Sequence, residues 1–73
     1  MGINTKKGRD YLLDRFKKNK SKILSCDVYR TDNGSKLVKV TMKNGKIYDF
    51  PGTEYAVRQF YRSFRRDILK IYI

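Results

Sequence analysis

The chain has no histidine, no tryptophan, one cysteine, one proline and only seven acidic residues in 73 positions. Each shortage excludes something. A single cysteine forms no internal disulfide, and without histidine there is no zinc site of ordinary Cys/His composition, so no metal or cofactor is expected and packing alone must hold the scaffold. No apolar run exceeds three residues, which leaves no segment to span a membrane. The opening Met-Gly-Ile-Asn-Thr-Lys-Lys carries no apolar signal-peptide core, and the expected location is cytoplasmic. A chain this short is one domain that buries only about 60% of its unfolded surface.

Positive charge is what the sequence does have. Lys and Arg number 18, for a net charge of +11. Residues 6 to 22 hold eight cations against two acids, and residues 54 to 70 hold five against two. Such a field concentrates anions at the surface and suits a phosphate backbone or an acidic protein.

Thr5 to about Asn19 reads as a first helix, with Leu12, Leu13 and Phe16 as its apolar stripe and lysines, including Lys17 and Lys18, over the remainder. Its start is either Thr5 or Gly8, because glycine costs about 1 kcal/mol inside a helix and serves as a cap. From Lys22 the apolar period changes to two, predicting strands at about 22–31, 36–42 and 46–50. Asp32-Asn33-Gly34 and Lys43-Asn44-Gly45 read as three-residue hairpin loops with glycine in the left-handed position. That choice pairs Val28 with Val38, Cys26 with Val40, Val38 with Phe50 and Val40 with Tyr48; a one-residue slip would turn a strand's whole apolar set outward. The inner face is then Leu24, Cys26, Val28, Val38, Val40, Met42, Tyr48 and Phe50. Ile23, Leu37 and Ile47 fall on the outer face, where either the first helix or another chain would cover them. Cys26 reads as a small core residue rather than a nucleophile.

Pro51, unable to donate to a ladder, is expected to stop the third strand, and Thr53 to cap a helix running to about residue 72. At 100° per residue, Val57, Phe60, Tyr61, Phe64, Ile68 and Ile71 fill an arc about 100° wide, the core-facing stripe. Opposite lie Arg58, Arg62 and Arg65, with Tyr55 and Arg66 at the margin, a ridge with no acid among them. Leu69, Tyr72 and Ile73 lie off the core arc and pack on the first helix or form an interface, with a second copy of the chain as one candidate.

The predicted fold is therefore α+β: a three-stranded antiparallel meander between an N-terminal helix and a long C-terminal helix. This order is similar to that of the double-stranded-RNA-binding domain, though that family sets a lysine cluster where this chain has Thr53-Glu54-Tyr55. The stretch Leu37-Val38-Lys39-Val40-Thr41-Met42-Lys43-Asn44-Gly45-Lys46-Ile47-Tyr48-Asp49-Phe50, running into the helix to residue 64, also resembles the hairpin-to-helix unit of KTSC-type domains, which implies the local fold and no activity.

An enzyme is not expected. The acids are scattered, no glycine-rich phosphate loop is present, and no Ser, Cys or Lys has an evident activating base. Asp27 and Asp49 read as surface counter-charges among lysines. The function expected is nucleic-acid binding, DNA or RNA, through Arg58, Arg62, Arg65 and Arg66, with Tyr55 stacking on a base and Lys17, Lys18, Lys39 and Lys43 widening the footprint. Small size and a lysine- and asparagine-rich composition suit an accessory protein of a phage or mobile element. The alternative is an inhibitor or adaptor that docks its basic face on an acidic protein, with Leu69, Tyr72 and Ile73 as apolar anchors.

Overall fold

The computed structural model describes residues 2–70. A first helix, α1 (Lys6–Lys18), leads through a 3₁₀ turn (Lys20–Lys22) into strands β1 (Ile23–Arg30), β2 (Lys36–Met42) and β3 (Ile47–Gly52); α2 (Glu54–Phe64) follows and continues as a π-helical turn (Arg65–Leu69). The sheet is antiparallel in the order β1-β2-β3. Among the described residues no helix is long and apolar enough to cross a membrane.

Hairpin register follows from the turns. Thr31 N donates to Ser35 O at 2.7 Å and Met42 N to Lys46 O at 2.8 Å, so each loop is three residues long. Gly34 (φ 86°) and Gly45 (φ 90°) take the left-handed position, which a residue with a Cβ adopts only at a steric cost. Val28 pairs with Val38, Cys26 with Val40, Val38 with Phe50 and Val40 with Tyr48, as the turn chemistry predicts.

Near its start β1 departs from that pattern. The ladder shifts between Ile23, which pairs with Met42, and Ser25, which pairs with Thr41, so Leu24 is an extra residue on its strand. A bulge of this kind reverses the alternation locally. Ile23 therefore turns inward and is buried, while Leu24, expected in the core, is 63% exposed. Val28, also expected inside, lies on the outer strand toward the Asp32–Gly34 loop and keeps 38% of its exposure.

Both helices lie on the same side of the sheet. Phe16 of α1 meets Tyr48, Phe50 and Phe64 edge-on at centroid distances of 5.8, 5.8 and 5.5 Å, and Val38, Val40, Val57, Phe60 and Phe64 close the core behind it. Of the two covers considered for the outer face, the first helix is thereby excluded: Tyr48 and Phe50 on the inner face and Phe64 of α2 offer it far more apolar contact than the outer mixture of Ser25, Asp27, Lys39, Thr41 and Asp49. Among the described residues nothing covers the outer face, where Tyr29 and Ile47 are about half exposed.

The N-terminal arm is part of the core. Ile3 is fully buried, Arg9 Nη1 donates to its carbonyl at 3.0 Å, and Thr53 N donates to Asn4 Oδ1 at 2.9 Å. Two glycines make room for the arm. A Cβ on Gly8 would stand 2.0 Å from Gly2 O, and one on Gly52 would stand 2.7 Å from Asn4 Oδ1. The start of α1 is accordingly Thr5, whose hydroxyl accepts from Gly8 N at 3.0 Å, and Gly8 sits inside the first turn because the arm crosses there.

Two boundaries differ from expectation. β3 runs through Pro51 to Gly52, pairing Leu37 with Pro51 and Lys36 with Gly52. A proline is tolerated there because β3 is an edge strand, where alternate N–H groups point away from the ladder. The C-terminal helix is regular only to Phe64; the wider π-helical turn then ends at Lys70, whose backbone is left-handed (φ 57°) and whose N–H bonds back to Arg65 O. More residues per turn move the last side chains off a 100° wheel. Leu69, expected off the core arc, thus swings back to pack against the core and is half-buried. Ile71, Tyr72 and Ile73 lie outside the described residues.

Candidate nucleic-acid interface

The arginines of α2 are less available than their spacing implies. Glu54, one turn before Arg58, lies 3.6 Å from that guanidinium and 3.0 Å from Lys36 Nζ. The hydrogen bond from Lys36, and then the charges of Lys36 and Arg58, hold the Glu54 carboxyl below its usual range. Arg66 pairs with its neighbour Asp67 at 2.9 Å, and that hydrogen bond is the main reason the Asp67 carboxyl is also lowered. Arg65 folds back over the Tyr61 ring at 5.4 Å and donates to its hydroxyl at 2.7 Å, leaving its Nε buried without a hydrogen-bond partner among the described residues. The acid-free ridge is therefore corrected: Glu54 and Asp67 serve two of its arginines and packing draws in a third, while Arg62 is exposed and makes no ion pair among the described residues.

The other singled-out residues are dispersed. Tyr55 lies beneath the Arg9 guanidinium, 5.7 Å from its ring centroid, at a shallow groove between α1 and α2. Lys18 pairs with Asp14 at 3.2 Å, and Lys17 is exposed on the last turn of α1. Lys39 stands on the outer sheet face over the Tyr29 ring at 4.7 Å, in register between Asp27 and Asp49. Lys39 is thus on the far side of the sheet from the two helices, whereas Lys17 lies near enough to Asp67 to help lower its carboxyl.

Lys43 belongs to a different assembly. A cleft of about 670 Å³ opens between the C-terminal half of α1, the following turn and the β2–β3 hairpin. Phe16, Tyr48 and Phe50 supply its aromatic wall, and Arg15, Lys22, Lys43 and Lys46 its charged lining. Residues 22 and 43 are drawn together by a backbone hydrogen bond, Lys43 N to Lys22 O, at 2.8 Å. Lys46 reaches over the Tyr48 ring at 5.0 Å. No Asp or Glu lines the cleft, and its four cations make no ion pair among the described residues.

Why this site forms is a matter of coverage. Two helices over a three-stranded sheet leave the end of β3 nearest the Lys43–Gly45 loop only partly roofed, so Tyr48 and Phe50, at core-facing positions, stay half-buried. Charge spacing along one helix, which drew attention to α2, did not reveal it. The available signal was that Lys22, Lys43 and Lys46 fall at one end of the sheet in either hairpin register, beside two aromatics of an edge strand.

Burial, with the nearby Asp27 carboxylate adding to it, pushes the Cys26 thiol up to about 12, and among the described residues no three His, Cys, Asp or Glu side chains gather as a metal site. The cleft can hold an anion with a flat or apolar portion. Set against known proteins, the chain matches no family model, no curated protein and no solved structure.

Proposed function

We propose that this chain is a non-enzymatic nucleic-acid-binding domain whose phosphate contacts centre on the cleft rather than on the α2 ridge. The observation that carries this reading is the lining: Arg15, Lys22, Lys43 and Lys46 share the cleft with Phe16, Tyr48 and Phe50, and among the described residues no carboxylate lines it. On α2 and the π-helical turn that continues it, by contrast, Glu54 and Asp67 already engage Arg58 and Arg66. An approaching phosphate there would compete with an existing ion pair, whereas at the cleft Arg15 and Lys46 rest only against the Tyr11 and Tyr48 rings, at 5.8 and 5.0 Å, and no ion pair has to be broken among the described residues. Contacts of this kind hold the backbone and confer little sequence preference.

Salt dependence tests the proposal. Four neutralised phosphates give a slope of log K on log salt of about −3.6 for duplex DNA and about −2.8 for single strands. Replacing Lys22, Lys43 and Lys46 together by glutamine reduces the magnitude of the slope by about 2 to 3, while Arg58→Gln with Arg62→Gln changes it by less than about 1. A larger loss from the α2 pair than from the cleft triple would move the site to the ridge. Absence of binding to duplex DNA, single strands and RNA at low salt would end the nucleic-acid reading and favour an acidic protein as the partner.

A further inference from the structure

We infer that the cleft accepts an unpaired nucleotide, its base against the Tyr48 ring and its flanking phosphates on the surrounding cations, so that the preferred ligand is single-stranded. This rests on the nucleic-acid reading above and narrows it to one ligand class.

Three observations support the narrower reading. First, the aromatic wall is a fixed platform. The rings of Tyr48 and Phe50 are parallel within 7° at 6.4 Å, and Phe16 braces both edge-on at 76° and 82°. A base stacking there meets a surface already held in place, and any base has the π-face required.

Second, the Tyr48 ring is visited by a mobile kind of group. Lys46 Nζ stands 5.0 Å from its centroid, on a side chain exposed at the hairpin end. A base entering the cleft takes that place on the ring, and the displaced ammonium is left on its flexible stem beside the incoming phosphates. The lysine then exchanges a ring contact for a charge-assisted one instead of losing its only partner.

Third, hydrogen-bonding groups of both kinds line the same space. Asn44 Oδ1 is occupied by Lys46 N at 2.9 Å, which leaves the Asn44 amide hydrogens as donors; Asn19 Nδ2 is occupied by Arg15 O at 3.0 Å, which leaves Asn19 Oδ1 as an acceptor. Both asparagines line the cleft. A free base edge presents acceptors and donors together, whereas a paired base has that edge satisfied and both faces stacked. Duplexes can touch the rim but cannot enter.

The test compares three probes of equal length at one salt concentration: a single-stranded oligothymidylate, the same sugar–phosphate chain without bases, and a duplex. Base stacking on an aromatic contributes roughly 5- to 150-fold in affinity, so the oligothymidylate binds at least about 5-fold tighter than the abasic chain. Tyr48→Leu keeps apolar volume beneath Phe16 and removes the ring; it brings the ratio of oligothymidylate to abasic affinity down toward one, and a ratio unchanged from the wild type overturns the stacking on Tyr48. A thermal melt of the variant establishes that it is folded. Because that variant could disturb packing, the wild-type comparison decides independently: equal affinity for all three probes, or a preference for the duplex, overturns the single-strand inference and leaves phosphate binding standing. Failure of every probe at low salt overturns both.

Discussion

Substitution of two adjacent residues, Ile23 and Leu24, separates the observed sheet from the regular alternation the sequence suggests. Ile23 is 5% exposed and Leu24 is 63% exposed, because the bulge inserts Leu24 as an unpaired residue. Full burial of an isoleucine contributes about 1.5–3 kcal/mol, and truncation to alanine adds a cavity term, for a total of about 2–4 kcal/mol. Leu24 hides roughly a third of its surface and leaves no cavity, so Leu24→Ala costs about 0.5–1 kcal/mol. A domain of this length has a total stability of about 4–11 kcal/mol, which makes the first loss a large share of the whole. Equilibrium unfolding in urea, with a slope near 1 kcal/mol per molar for a chain this small, converts the difference into midpoints. Ile23→Ala lowers the midpoint by about 2 M or more, and Leu24→Ala by about 1 M or less. Equal losses, or a larger one for Leu24→Ala, would place Leu24 inside the core and remove the bulge from the account.

Two further outcomes follow from the arm and the thiol. Ile3→Ala costs about 2–4 kcal/mol, and Gly52→Ala also destabilises by forcing Asn4 and Ile3 away; measured by the same unfolding, the double variant loses less than the sum, because either change already releases the arm, and strict additivity would show that the two sites do not share a contact. For Cys26 the sign is that of an acid whose folded pKa is raised: the neutral thiol's stabilising contribution is complete below the unfolded value near 9 and is lost as pH climbs toward about 12. Stability within that window falls by up to about 1.4 kcal/mol per pH unit beyond what a Cys26→Ala control shows; identical slopes in the two proteins would mean that the thiol is not held in the core.

Local chemistry made much of this protein legible from its residues. Two Asn-Gly loops set both hairpin registers, because a left-handed glycine and a three-residue loop leave one pairing that keeps Cys26, Val38, Val40, Tyr48 and Phe50 on one face. Thr5 and Thr53 capped the helices as their side chains allow, and Val57, Phe60 and Phe64 were readable as one stripe. Less of the site could be read in this way. Spacing on a helical wheel located Arg58, Arg62 and Arg65, and the same wheel sets Glu54 one turn before Arg58 as a legible i,i+4 partner; what it does not show is the fate of a guanidinium beside a tyrosine.

By itself, then, the sequence determined the element order, the turns, the central register and a strongly basic, disulfide-free chain, all of which depend on interactions within a few residues or on composition. Only the tertiary structure decided that α1 joins α2 on the inner face, that Ile23 rather than Leu24 turns inward, that Ile3 enters the core, and that Lys36 of β2 reaches Glu54. Those outcomes are competitions between distant groups for the same apolar surface and the same cations. The cleft is where two of them meet: Phe16 packs against β3 from one side, the hairpin brings Lys43 and Lys46 from the other, and among the described residues no carboxylate lines the space between them.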